Sequence, residues 1–267
     1  MGFILKIALL ILLVLALFAA GIYYYQERLI FFPTVLPEDY KYSFASSPEE
    51  IKLTYDKKDV YALRFKAPGE SKGIVFFFHG NAGALDSWGY FGEEFAAKTS
   101  WDIVVIDYPG YGKSQGRVKS EEDLRNVGQL FINHVTENIS TKMVIFGRSI
   151  GSGVATFLAA KNPCDGVILE TPFYSGIELA KILFPQVPSF LIRYAFRSDE
   201  WLSLSQGKIL ILHGTEDSIV PYSQGLKLSQ VPTAQALKFV TIQGGDHNNL
   251  SDFEEYWDEV NGFLQTL

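Results

Sequence analysis

Ser149 stands in Gly147-Arg148-Ser149-Ile150-Gly151, directly after the apolar run Met143-Val144-Ile145-Phe146 and just before Val154-Ala155-Thr156-Phe157-Leu158-Ala159-Ala160. A Gly-x-Ser-x-Gly between a buried strand and a helix is the context of a nucleophile elbow. The turn is too sharp for side chains on the two glycines, so the serine hydroxyl alone projects above the sheet edge. A Gly-rich structural turn and a phosphate loop are the competing readings. The phosphate loop lacks the Lys-Ser/Thr ending that it requires.

A hydroxyl needs a base to become a nucleophile, and the base needs an acid to orient it. Behind such an elbow the acid and then the base follow on loops at the carboxyl ends of later strands. Lys208-Ile209-Leu210-Ile211-Leu212 leads into His213-Gly214-Thr215-Glu216-Asp217, and Leu237 to Ile242 leads into Gln243-Gly244-Gly245-Asp246-His247. Asp217 and His247 are the expected acid and base. Of the four histidines, His79 and His134 precede the serine and His213 precedes the acid. His79 and His213 each close a strand and are expected to brace their loops; His134 lies in a helical run. Glu216 is the rival acid and Glu170 a more remote one. Asp246 adjoins the base, and chain neighbours point apart.

These residues resemble the α/β-hydrolase superfamily, and within it the membrane-anchored bud-emergence-type hydrolases and related protein depalmitoylases. The resemblance is carried by Phe78-His79-Gly80-Asn81-Ala82-Gly83, Asp107-Tyr108-Pro109-Gly110-Tyr111-Gly112-Lys113-Ser114, the elbow, Gly214-Thr215-Glu216-Asp217 and Gly245-Asp246-His247. It implies a serine hydrolase with Ser149, Asp217 and His247 as its triad. It also implies an oxyanion hole, in which preorganised N–H groups stabilise the charge that develops on a carbonyl oxygen. The donors would be the backbone N–H groups of Ile150 and Asn81. The loop from Tyr108 to Gly112 reads mainly as structural.

The elements that must position these residues read as a doubly wound, mostly parallel sheet. Ile51 to Tyr55 and Val60 to Phe65 alternate across a Lys-Lys-Asp turn, predicting an antiparallel hairpin at the sheet edge. Ile74–Phe78, Ile103–Ile106, Met143–Phe146, Gly166–Leu169, Ile209–Leu212 and Phe239–Ile242 are short apolar runs, as expected of strands covered on both faces. Amphipathic runs over 86–98, 120–137, 154–161, 223–230 and 252–267 supply the helices. Residues 51–267 are expected to form one α/β-hydrolase catalytic domain, with 26–50 as the linker approaching the sheet.

Residues 173–204 interrupt the alternation with an apolar, Pro-bent stretch that includes Ile182, Leu183, Phe184 and Phe190. Hydrolases of the resembling kind place cap insertions here, over the nucleophile. A small apolar cap would favour acyl chains and exclude water; a helix pair packed on the sheet without ligand contact is the alternative. Residues 1–25 read as an uncleaved membrane anchor. Phe3 to Ala20 is apolar except for Lys6, Tyr23-Tyr24-Tyr25 forms an aromatic border, and a span needs about 20 apolar residues. A cleavable signal has a core of only about 7–15 residues, although Ala19-Ala20-Gly21 would pass as a cleavage site. Lys6 and the amino terminus point to an inside N-terminus and an extracytoplasmic catalytic domain in a single-pass protein.

The chain has one cysteine, Cys164, so no intrachain disulfide forms, and its net charge of -7 argues against nucleic acid and anionic-lipid binding. No zinc-ligand spacing or dinucleotide fingerprint is present, so no metal or cofactor is expected. The sequence thus points to a membrane-anchored serine hydrolase that cleaves carboxylic esters, acyl or lipid-like, through an acyl-enzyme. Its partners would be the lipid bilayer and a small-molecule, lipid or acylated-protein substrate. An acyl-protein thioesterase and a serine peptidase are the enzymatic alternatives; a non-enzymatic membrane scaffold is the alternative of a different class.

Overall fold

The computed structural model describes residues 2–137 and 139–267. Its first element is helix α1 (Gly2–Ile30), which extends past the expected anchor into Gln26–Ile30. It is long and apolar enough to cross a membrane, and its most apolar window is not buried by the rest of the chain.

Continuous apolar runs become the strands of one eight-stranded sheet. The strands are β2 (Glu49–Tyr55), β3 (Lys58–Phe65), β4 (Ile74–Phe78), β6 (Asp102–Ile106), β7 (Met143–Arg148), β8 (Gly166–Glu170), β9 (Lys208–Gly214) and β10 (Leu237–Ile242). They lie in the order β10-β9-β8-β7-β4-β6-β3-β2. The β2–β3 hairpin pairs antiparallel and joins β6 antiparallel; every other neighbour is parallel. Two further two-residue strands, β1 (Phe32–Pro33) and β5 (Ala82–Gly83), pair outside this sheet.

The covering helices are α2 (Leu85–Thr99), α3 (Glu121–Thr136), α4 (Ile150–Lys161), α7 (Tyr222–Ser229) and α8 (Glu254–Gln265). Two hydrophobic clusters result. One holds Phe76, Phe78, Phe131, Val154 and Leu158; the other holds Phe77, Phe95, Phe146, Tyr256 and Trp257. Alternate side chains of β4 thus feed opposite faces, as a strand buried on both sides requires. The fold is the α/β-hydrolase fold.

The covering helices lie within two residues of the sequence reading at both ends, except at the start of α4. α4 begins at Ile150, immediately after Ser149, and not at Val154. Gly151, Ser152 and Gly153 are poor helix formers, but their small size lets this first turn fit against the sheet. A Cβ on Gly151 would run into the carbonyl oxygen of Phe78, and one on Gly153 into the ring of Phe196.

Residues 173–204 fold as α5 (Gly176–Leu183), a 3₁₀ turn at Ser189–Leu191, α6 (Ser198–Trp201) and a second 3₁₀ turn at Leu202–Leu204. The segment is divided in character. Phe173, Tyr194, Phe196 and Leu202 are buried in the core, whereas Ile182, Leu183, Phe184 and Phe190 stand exposed.

Candidate active site

Parallel pairing of β4, β7, β8, β9 and β10 puts their carboxyl ends, and the loops that follow, at one edge of the sheet. The elbow is built there from β7 and α4. Ser149 has φ 54° and ψ −121°, a conformation strained for a residue with a side chain. Its N–H is nevertheless engaged by the Glu170 carbonyl at 2.9 Å, and its own carbonyl accepts from the Ser152 hydroxyl at 2.6 Å. A Cβ on Gly147 would collide with the carbonyl oxygen of Gly151. Both glycines are therefore demanded by the close approach of backbone.

Three residues separated along the chain meet at this point. The Ser149 hydroxyl lies 2.9 Å from His247 Nε2, and His247 Nδ1 lies 2.8 Å from Asp217 Oδ2. With the proton on Nδ1, His247 donates to Asp217 and accepts from Ser149. Asp217 Oδ1 takes the N–H groups of Ile219 at 2.9 Å and Val220 at 2.8 Å. His213 Nε2 lies 3.2 Å from Asp217 Oδ2 and 2.9 Å from the Val220 carbonyl. Burial alone would raise the Asp217 pKa. The His213 and His247 hydrogen bonds, the His247 charge and the Val220 N–H outweigh it and hold the carboxyl well below the usual carboxylate range.

The other candidate acids are occupied elsewhere. Glu216 is exposed. Asp246 accepts from the Ser218 N–H and hydroxyl and from the His247 N–H. Glu170 is fully buried, pairs with Arg148 Nε at 3.1 Å and accepts the Tyr256 hydroxyl at 2.9 Å. Among the remaining histidines, His213 braces its loop as described, and His134 is exposed on α3.

His79 holds the loop that carries Asn81. Its Nδ1 lies 2.7 Å from the Gly80 carbonyl, and its Nε2 lies 3.3 Å from Asp107, both groups being fully buried. Burial pushes the Asp107 carboxyl up, with His79 offsetting part of the effect. The Tyr108 hydroxyl donates to the His79 carbonyl at 2.9 Å, and the Tyr111 hydroxyl to the Asn81 carbonyl at 2.7 Å. Gly80 sits against Ser149, since a Cβ there would stand 3.9 Å from that of Ser149. Among the described residues, the backbone N–H groups of Asn81 and Ile150 donate to no other protein group. They are free to receive an oxyanion.

The same loop is fastened to the end of α1. The Asn81 side-chain amide donates to the Ile30 carbonyl at 2.8 Å, the Phe32 N–H donates to the Asn81 carbonyl at 2.8 Å, and β1 pairs with β5 alongside.

Arg148 and Trp88 are the residues that reading the sequence missed. Arg148 Nη2 donates to the His247 carbonyl at 3.1 Å and to Asn248 Oδ1 at 3.3 Å. Its guanidinium lies over the Trp88 ring at 5.1 Å, and that ring stacks on His79 at 5.6 Å. One stack thus joins the loop of His247 to the loop of Asn81. The position of Arg148 inside the elbow motif was a signal for its role; Trp88 gave none.

A family profile described as the alpha/beta hydrolase fold matches residues 73–204. The chain is 27% identical to Protein bem46 of Schizosaccharomyces pombe, covering 94% of this chain and 90% of that protein. It is 28% identical to Alpha/beta hydrolase domain-containing protein 17C of Xenopus tropicalis over 74% of this chain, a match that spans 63% of that relative's length. Similar solved structures include the Pyrococcus furiosus esterase Pf2001, with a TM-score of 0.66 and 14% identity over 89% of this chain and 97% of that one. Est1E of Butyrivibrio proteoclasticus with bound ferulic acid has a TM-score of 0.64 and 17% identity, over 81% of this chain and 96% of that one. Strand order, the turn at Ser149 and the match over 73–204 agree: the chain has the α/β-hydrolase fold and resembles the bem46 and 17C proteins.

Proposed function

We propose that this chain is a membrane-anchored serine hydrolase that cleaves carboxylic esters of acyl or lipid-like substrates. The observation that carries the reading is the continuous relay from Ser149 Oγ through His247 to Asp217, at 2.9 and 2.8 Å. Both spacings lie within hydrogen-bond reach, the first for proton transfer to His247 and the second for orienting its ring.

In this mechanism Ser149 Oγ attacks the ester carbonyl as its proton passes to His247 Nε2. Asp217 holds the Nδ1–H tautomer and stabilises the imidazolium. The Ile150 and Asn81 N–H groups receive the negative carbonyl oxygen. Collapse breaks the carbon–oxygen bond to the leaving alcohol, which takes the proton from Nε2 and leaves an acyl-Ser149. His247 then removes a proton from water, the hydroxide displaces Ser149, and the serine recovers its proton.

A thioester of an acylated protein is the second reading. The fastening of α1 beside the site favours it, because a substrate that is itself lipid-anchored would be presented at the same bilayer. In this reading α1 is an uncleaved single span, and Lys6 on the amino-terminal side favours a catalytic unit outside the cytoplasm.

Fluorophosphonate labelling of the full chain in detergent, beside Ser149→Ala, tests the proposal. Labelling that disappears in a folded Ser149→Ala supports an activated serine, and an ester-versus-thioester panel then ranks the substrates. An unlabelled, folded parent would overturn the hydrolase reading in favour of a scaffold.

A further inference from the structure

The cap segment carries exposed apolar residues, and α1 is clamped to it at the 3₁₀ turn that carries Phe190 and at the residues just after it. Gln26 is buried at 7% exposure, although it lies on a helix that is otherwise largely open. Its side-chain amide donates to the Leu191 carbonyl at 2.6 Å, and its carbonyl oxygen accepts the Arg193 N–H at 2.9 Å. Arg193 pairs with Glu27 at 2.6 Å, donates to the Tyr23 carbonyl at 3.3 Å and lies over the Tyr23 ring. The Tyr194 hydroxyl donates to Glu27 at 3.2 Å, and its ring packs edge-on against Phe31. A helix held by this many bonds from two successive turns has a set position against the segment.

That position fixes a level. Tyr23, Tyr24 and Tyr25 form the aromatic border of the span, and such rings sit at the headgroup level of a bilayer. At a rise of 1.5 Å per residue, Tyr23 lies roughly 10 Å along the axis from the helix end at Ile30, on the side of the span. Leu191 is bonded to Gln26 next to this border, so the 3₁₀ turn at Ser189–Leu191 shares its level. Phe190 in that turn is 81% exposed. In the same segment Ile182, Leu183 and Phe184 are 46%, 46% and 59% exposed. Scattered exposed apolar residues are ordinary, but four in one short segment that is bonded to a membrane span are not.

We propose that the cap face formed by Ile182, Leu183, Phe184 and Phe190 docks into the interfacial layer of the bilayer that α1 spans. The occupant is a lipid surface, because the chain's own span is bonded to the turn that carries Phe190, at the level where headgroups begin. Docking would add a second contact with the membrane and set the catalytic unit in one orientation. The inference rests on the reading of α1 as a membrane span.

The test uses the full chain in phosphatidylcholine nanodiscs with Cys164→Ser, so that single nitroxide labels can be attached. Labels are placed by Leu12→Cys in the span, Phe184→Cys and Phe190→Cys in the cap face, and Glu70→Cys. Glu70 is exposed and precedes β4, at the amino ends of the parallel strands and far from the α1 exit. Collision with oxygen measures lipid immersion, and collision with a water-soluble nickel chelate measures aqueous exposure. The expected oxygen-to-nickel ratio is several-fold higher at 184 and 190 than at 70, and highest at 12. Ratios at 184 and 190 equal to that at 70, with position 12 immersed, would overturn docking and spare the anchor. A water-exposed label at position 12 would overturn both.

Discussion

The elbow and the cap segment are both rich in apolar residues and glycine or proline, yet the chain treats them oppositely. At the elbow, backbone and side chains are committed several times over. Ser149 is fixed by Glu170 and Ser152, His247 by Asp217 and Arg148, and Asp217 by His213, Ile219 and Val220. Residues 181–186 of the cap are all exposed. Such over-determination lets the first region hold a strained serine in reacting position. Those cap residues lie open, and the neighbouring turn at Ser189–Leu191 is held by α1.

The sharpest break of the comparison is at Asp217, the proposed orienting acid. Asp217→Asn should keep the fold and lower turnover on the order of 10⁴-fold, because an amide favours the wrong imidazole tautomer. Steady-state kinetics with a soluble acyl ester would show it; a loss below tenfold would remove Asp217 from the relay. A smaller but still severe effect is expected from Arg148→Ala. It leaves Glu170 buried without its cation, which costs about 3–5 kcal/mol, and frees the loop of His247. Urea unfolding should register the loss together with a fall in turnover.

Acid should separate the regions next. The Asp217 pKa is depressed in the folded state, so its contribution to stability is complete above the unfolded value of about 3.9. That contribution disappears as pH falls toward the folded value. The parent should therefore lose stability below about pH 4 more steeply than Asp217→Asn, as followed by thermal melts. The smallest effect belongs to the cap: Phe184→Ser should move the unfolding free energy in detergent by less than about 0.5 kcal/mol. A larger change would show that the segment is packed more firmly than its exposure indicates.

The same contrast explains what could be read in advance. The strands were legible because runs such as Ile74–Phe78 are apolar at every position, the mark of a strand buried on both faces. Ser149, Asp217 and His247 were legible because their order along the chain and their places after strands are local facts. Arg148 reaching over Trp88 to the carbonyl of His247 was not, because it joins three distant parts of the chain. Nor was the start of α4 at Ile150, where tight packing against Phe78 and Phe196 overrides poor helix propensity. The two-residue pairing of β1 with β5 has too few positions to leave any periodic signal.

The backbone of Ser149 has a consequence for how this protein would tolerate change. A side-chain-bearing residue at φ 54° stores strain of about 1–3 kcal/mol. Glycine would relieve that strain at an entropic cost of only about 0.5–1 kcal/mol. Replacing Ser149 by glycine should therefore raise the melting temperature while abolishing the proposed chemistry. At this one position robustness and activity pull in opposite directions, and a yield of well-folded protein says nothing about whether the serine is there to react.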